Sequence, residues 1–168
     1  MREQITLITG SNGEIGQKLI KTLSKNKNTK LVALDLHPPS DDIANLLYEK
    51  IIGNILDENL LEQLGSKYEI KEIYHLAALL STRAEFAPHI AHEVNVNGTL
   101  NILTLAVEQA KSQGDAVKFF FPSSIAIYGL DNEQIKEEAG AITELDYCNP
   151  ITMYGCNKLY CENLGIYH

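Results

Sequence analysis

Apolar residues gather in five short runs, at Ile5 to Ile8, Leu31 to Leu36, Ile51 to Ile52, Ile73 to Leu76 and Lys118 to Phe121. Each run reads as a short buried strand. Between them, from about Glu14 to Ser24, Asp57 to Leu64 and His89 to Lys111, apolar positions return at helical spacing. Strand and helix therefore alternate, which predicts an α/β fold with a doubly wound parallel sheet in strand order 3-2-1-4-5. Gly129 to Pro150 is the one long stretch without strong periodicity and is rich in Glu, Asp and Asn, so a long loop is expected there. Helical spacing resumes from Thr152 to Tyr167, with no Gly or Pro exit signal after it. No repeat, low-complexity tract or linker interrupts the pattern, so residues 1–168 are expected to form a single domain.

Composition narrows the class. With 168 residues, 45% hydrophobic and 21% charged, the chain can bury a real core, which excludes disordered and collagen-like architectures. A net charge of -8 without any Lys/Arg cluster argues against a nucleic-acid partner, whose phosphates need basic side chains. A dinucleotide held by backbone N–H groups escapes that objection. Met1 runs straight into an apolar strand without a basic region and a longer apolar stretch, so no signal peptide is expected. No run reaches membrane-spanning length, so no membrane partner is expected and the location is expected to be cytoplasmic. Cys148, Cys156 and Cys161 form neither a C-x-x-C pair nor an even set, and no His lies at zinc-ligand spacing to them. They read as reduced thiols, with no metal site.

The first run leads into Thr9-Gly10-Ser11-Asn12-Gly13-Glu14-Ile15-Gly16. Glycines stand where a chain must turn sharply, let a pyrophosphate approach its backbone, and pack a helix on the sheet. The helix N-terminus then faces the phosphates. An ordinary strand-to-helix turn can carry three glycines too; the flanking strand and helix make the pattern specific. Asp35 ends the second run, 19 residues after Gly16, where a carboxylate can accept from the hydroxyls of an adenosine ribose. A 2′-phosphate there would meet a like charge, so the position predicts NAD rather than NADP. A helix N-cap or an exposed strand-end Asp is the plain alternative.

Tyr154 and Lys158 lie four apart in Y-G-C-N-K, which on a helix sets phenol and ammonium on one face, a turn apart. The ammonium favours phenolate, so a lowered Tyr pKa and a base near neutral pH are predicted. Such pairs also occur on solvated helices. Upstream, Phe119-Phe120-Phe121-Pro122-Ser123-Ser124 puts two hydroxyls just past the carboxyl end of the fifth strand, the edge where open α/β sheets place ligands. A Ser there can hold a substrate oxygen, although capping a turn is the commoner fate of Ser after a strand. The order of strand, serines and Tyr/Lys pair is what favours a site.

Together, T-G-S-N-G-E-I-G, H-L-A-A-L-L-S, N-V-N-G-T, P-S-S-I-A-I-Y-G and Y-G-C-N-K resemble the extended short-chain dehydrogenases, the NAD-dependent epimerase/dehydratase family, over essentially the whole chain. The resemblance implies a Rossmann domain that binds NAD. It implies Tyr154 as catalytic base, Lys158 as the residue that lowers its pKa and holds the nicotinamide ribose, and Ser124, with Ser123 beside it, as the hydroxyl that orients substrate. Gly10, Asn12, Gly13, Glu14, Ile15 and Gly16 would form the pyrophosphate turn, and Asp35 would bind the adenosine ribose. Leu76, Ala77, Ala78 and Leu79 would line the cofactor after the fourth strand, and Asn95 matches the family's helix Asn. Where the family commonly has an adenine-binding Asp, this chain has Gly53-Asn54-Ile55, and Asn54 would offer its amide oxygen instead.

Two substrate classes fit the resemblance. S-S-x-x-x-Y-G with Y-G-x-N-K is shared with nucleotide-sugar epimerases, the narrowly leading expectation, in which a sugar carbinol is transiently oxidised and hydride returns to its other face. A-A-L-L-S with P-S-S-I-A is also similar to short-chain-type L-threonine dehydrogenases, where a Ser at the position of Ser81 helps hold a small hydroxy amino acid. N-capping the following helix is the alternative for Ser81. His75 reads as a packed or hydrogen-bonded core histidine. Relatives continue past the Tyr/Lys helix into a C-terminal substrate lobe, which this chain lacks. The third expectation is therefore a fragment that binds NAD without turnover, exposes Leu159, Leu164, Ile166 and the fifth-strand edge, and self-associates. Relatives commonly pair through the His89 and Tyr154 helices, so a homodimer is expected.

Overall fold

A computed structural model describes residues 2–130 and 132–168. Five parallel strands, β1 (Glu3–Thr9), β2 (Leu31–Asp35), β3 (Glu49–Ile52), β4 (Tyr68–His75) and β5 (Lys118–Phe120), form one sheet in the order β3-β2-β1-β4-β5. This is the doubly wound order that the alternation predicts. The helices are α1 (Glu14–Leu23), α2 (Asp41–Ala44), α3 (Glu58–Lys67), α4 (Ser81–Phe86), α5 (Pro88–His92), α6 (Gly98–Gln113), α7 (Glu133–Ala139) and α8 (Met153–Tyr167). A π-helical turn, Glu93–Asn97, joins α5 to α6, and a 3-10 turn, Ile125–Ile127, follows β5.

Each face of the sheet has its own core. On one face Leu7, Val32, Leu34, Ile70 and Ile73 pack with Leu61 and Leu64 of α3 and with Ile102 and Leu105 of α6. On the other, Ile8 and Leu31 pack with Ile20 of α1 and Ile43 of α2. Leu7 and Ile8 thus serve opposite layers, as neighbouring strand residues must. That explains why β1 reads as a continuous apolar run. Burying each such side chain is worth about 1.5–3 kcal/mol.

β5 is short and pairs only with Glu72, Ile73 and Tyr74, which leaves the start of β4 without a strand on that side. Two glutamines of α6 satisfy the backbone there. Gln109 Oε1 accepts from Ile70 N at 2.9 Å, and Gln113 Nε2 donates to Ile70 O at 3.1 Å. Gln109 Nε2 also donates to Gly65 O at 2.8 Å, so one side chain fastens β4, α3 and α6 together.

Three features depart from the hydrophobic pattern. The expected loop from Gly129 to Pro150 contains α7, N-capped by Asn132, whose side chain accepts from Ile135 N. None of its residues is buried, so it has no apolar stripe to read. The expected single helix from His89 to Lys111 is interrupted by the π-helical turn. Of Leu159, Leu164 and Ile166, only Ile166 is widely exposed, at 84%, and the other two are half-buried. The outer edge of β5 adjoins an apolar groove of about 930 Å³, lined in part by Val107, Phe119, Ile127 and Ile166.

The turn after β1 brings two backbones into close approach. Gly10 has φ +66°, and a Cβ there would lie 2.5 Å from the Ala77 backbone nitrogen. Gly114 has nearly the same φ, +69°, but open space around it. Gly114→Ala is therefore expected to cost about 1 kcal/mol, the strain of the backbone alone. Gly10→Ala should cost more than about 2 kcal/mol, because β1 and β4 must also part. Urea denaturation of both variants checks this; equal losses would mean that the approach to Ala77 contributes nothing.

Candidate active site

All five strands run parallel, so Thr9, Asp35, Ile52, His75 and Phe120 end at one edge, and every predicted site residue is one of those ends or comes after one in the chain. Gly13 is the N-cap of α1 and provides no side-chain acceptor. The amides of Glu14, Ile15 and Gly16 precede the first helical hydrogen bond, from Gln17 N to Gly13 O, and lack an acceptor within the helix. An uncapped positive helix end beside a glycine turn fits a pyrophosphate. Glu14 can contribute only backbone, since its carboxylate turns outward to Lys18, 2.6 Å away.

The rest of the turn is braced from β2 and α1. Asp35 Oδ2 accepts from Asn12 N at 2.9 Å, and its Oδ1 from His37 N at 3.1 Å. Neither expected alternative applies, because Asp35 caps no helix and is half-buried. Its unused lone pairs fit ribose hydroxyls. Asn12 Nδ2 donates to Pro38 O, and Asn12 Oδ1 accepts from Ser40 N. Asn54 Oδ1 accepts from Leu56 N at 3.0 Å in a local turn, which leaves its second lone pair for an adenine amino group. Ile55 differs from expectation. Its side chain sits in the core, 5% exposed, leaving only its backbone for a ligand.

The loop after β4 is pinned at three points. Leu76 N donates to Thr9 O, Ala77 N to Thr9 Oγ1, and Leu79 N to Asn95 Oδ1 at 2.7 Å. Asn95 Nδ2 returns a bond to Leu79 O at 3.0 Å and meets Asn157 Oδ1 of α8 at 3.3 Å. Asn95 lies in the π-helical turn and is 3% exposed. Ala78 is half-buried in the same loop. Ser81 is the exposed first residue of α4, while Leu80 is its N-cap with no side-chain bond. The N-cap role considered for Ser81 is therefore absent.

Helix α8 is held at its N-terminus by Thr152, whose hydroxyl accepts from Gly155 N, and by Glu85 of α4. Glu85 Oε1 accepts from Met153 N at 2.8 Å and from Tyr154 N at 3.4 Å. Sequence alone misses Glu85, because its partners lie 68 and 69 residues away. A Cβ on Gly155 would lie 2.1 Å from Ala126 O, so only glycine lets α8 press against the 3-10 turn. That turn begins at Ser124, whose Oγ accepts from Ala126 N at 3.2 Å. Ser124 thus caps a turn and keeps its own proton for another acceptor. Ser123 beside it is exposed.

Lys158 is 4% exposed. Its Nζ donates to Pro122 O at 2.7 Å and stands 4.2 Å from the Phe121 ring centre and 5.6 Å from that of Tyr154. Burial brings its pKa from 10.5 down to about 8. The folded protein then binds fewer protons than the unfolded chain between those values, so the cost of burying the ammonium fades as pH rises from about 8 to 10.5. Tyr154 departs from expectation, since burial pushes its phenol up. The physical reason is that loss of water around the half-buried ring disfavours the phenolate, and Lys158 Nζ, 5.6 Å from the ring centre, makes no hydrogen bond to the phenol.

Comparison with known proteins agrees with this geometry. Residues 6–168 match the family model described as the NAD dependent epimerase/dehydratase family. An uncharacterized epimerase/dehydratase of Staphylococcus aureus (strain USA300) is 32% identical over 165 residues, covering 96% of this chain and 47% of that protein. The chain spans about half the length of the curated relatives it matches. The structure of L-threonine dehydrogenase from Clostridium difficile is similar with TM-score 0.81 and 30% identity, over 99% of this chain and 49% of that one. UDP-glucose 4-epimerase from Thermotoga maritima shares the fold, with TM-score 0.80 and 24% identity over 96% of this chain and 50% of that one. A glycine turn, an acidic β2 end and a Tyr/Lys helix on this sheet, matched across nearly the whole chain, place the protein in the NAD-dependent epimerase/dehydratase family.

Proposed function

We propose that the chain carries the cofactor-binding and proton-transfer part of an NAD-dependent oxidoreductase acting on an alcohol carbon, and that its substrate is a small hydroxy amino acid such as L-threonine. The observation that carries the reaction class is the buried Lys158 one turn from Tyr154, on a helix pressed against the Ser124 turn. The substrate rests on the higher identity to L-threonine dehydrogenase, 30%, than to UDP-glucose 4-epimerase, 24%. The shared S-S-x-x-x-Y-G motif keeps nucleotide-sugar epimerisation as the second reading.

Bound NAD would supply a hydride acceptor. The open amides of α1 would hold its pyrophosphate, and Asp35 would accept from its adenosine ribose. Ser124 donates its proton to the substrate oxygen while its own oxygen accepts from Ala126 N. Tyr154 takes the hydroxyl proton as the carbon is oxidised, acting as its phenolate. Lys158 is the nearby cation that favours that phenolate. The ammonium sits in apolar surroundings, where its field is less screened than in water.

Two outcomes are expected. By calorimetry, the chain binds NAD in preference to NADP, and Asp35→Ala weakens NAD by about tenfold or more, the worth of hydrogen bonds to a charged acceptor. Binding of NADP as tight as NAD would remove Asp35 from the cofactor. In a protein of the relatives' full length, Tyr154→Phe lowers turnover by about 10² to 10⁴ and leaves NAD affinity within about twofold. NADH accumulating with L-threonine supports the first reading, and interconversion of UDP-sugars without net NADH supports the second.

A further inference from the structure

We propose that His75 is a positioning residue: a neutral imidazole carrying its proton on Nε2, which locks the glycine turn, the loop after β4 and the π-helical turn into one arrangement. The functional weight of this lock rests on the site reading above. Its wiring follows from donor and acceptor chemistry alone.

Thr99 Oγ1 lies 2.5 Å from Asn95 O. A carbonyl has no proton, so the Thr99 hydroxyl must donate there. With its only proton spent, Thr99 Oγ1 can meet His75 Nε2, 3.0 Å away, only by accepting from it. Nε2 therefore carries hydrogen. A neutral imidazole has one N–H, so Nδ1 is bare and accepts from the Thr9 hydroxyl at 2.7 Å. Thr9 Oγ1 in turn accepts from Ala77 N at 3.3 Å. The bonds all point one way: Ala77 N–H to Thr9, Thr9 to His75, His75 to Thr99, and Thr99 to the Asn95 carbonyl. With the proton on Nδ1 instead, the lone pairs of Nε2 and Thr99 would oppose each other.

A charged ring is disfavoured by its surroundings. His75 is 1% exposed, and its Phe119 and Phe121 neighbours are aromatic hydrocarbons. Lys158 stands on the Phe121 ring that stacks on His75, and Cys161, the other titratable group here, bonds to Asn95 O. Burial first, and Lys158 second, push the His75 pKa down to about 3. The consequence is mechanical. Ala77 is held through Thr9 and Leu79 through the Asn95 side chain, so His75 ties both pinned ends of the cofactor loop to one ring. Asn95 passes the register on to Asn157, next to Lys158 on α8.

Two-bond ¹H–¹⁵N spectra of the ¹⁵N-histidine chain, without cofactor, test the assignment. Among the five histidines, His75 is expected to show Nε2–H with a bare Nδ1 and to stay neutral down to pH ~5. Thr99→Val removes the acceptor and should move the proton to Nδ1; Thr99→Ser should restore Nε2–H. Amide exchange at Ala77 and Leu79 should quicken about fivefold in the valine variant and recover in the serine variant, the worth of about one hydrogen bond. An Nδ1–H or charged ring in the unsubstituted protein overturns the proposal. So does a valine variant with unchanged tautomer and unchanged local exchange. Failure of the unsubstituted chain to bind NAD would count against the cofactor reading alone, since every one of these signals is recorded without ligand.

Discussion

The contact of Gly10 with Ala77 is the constraint on which the cleft depends. Two strand ends, from β1 and β4, meet there without a side chain between them, and Leu76 N and Ala77 N both bond to Thr9. Because β1 is central in the sheet, this contact fixes the turn that starts α1 relative to the loop that starts α4. α4 then sets α8, through the Glu85 carboxylate on the amides of Met153 and Tyr154. A carboxylate at a helix N-terminus also meets the positive end of the helix dipole, worth about 0.3–1 kcal/mol. The position of the Tyr/Lys pair is therefore inherited from a glycine more than a hundred residues earlier.

What the sequence made legible and what it hid divide along a physical line. Strand order, the glycine turn, Asp35 and the Tyr/Lys spacing were readable because each is encoded locally, by a run, a turn or a four-residue interval. The α7 helix was hidden because no residue of it is buried, so its solvated sequence carries no period. The π-helical turn was hidden because it spans only Glu93–Asn97 and is continuous with helix on both sides, too short a segment for its shifted period to be told from an irregular apolar stripe. Glu85, Thr99 and Asn157 were hidden for another reason: each acts on a partner far along the chain. Asn54 shows a local tie the reading by chemistry alone omits, since its oxygen also accepts from the backbone two residues on.

The surroundings of Lys158 explain why its charge acts at a distance. A buried lysine is usually stabilised by a carboxylate, and such a pair would hold its pKa high and cancel its field. Here the ammonium has a carbonyl, Pro122 O, and an aromatic face, Phe121, and none of the ion pairs among the described residues includes it. Both partners solvate the cation without neutralising it. Behind Phe121, a second cation would repel the first, and the buried histidine there is neutral. The arrangement leaves a positive charge without an ion-pair partner beside the Tyr154 ring, its pKa lowered to about 8 by burial against the weaker opposing pull of Cys161 and Glu162. A charged His75 would face Lys158 across the Phe121 ring, so the neutral imidazole removes a repulsion that would otherwise oppose burying the ammonium.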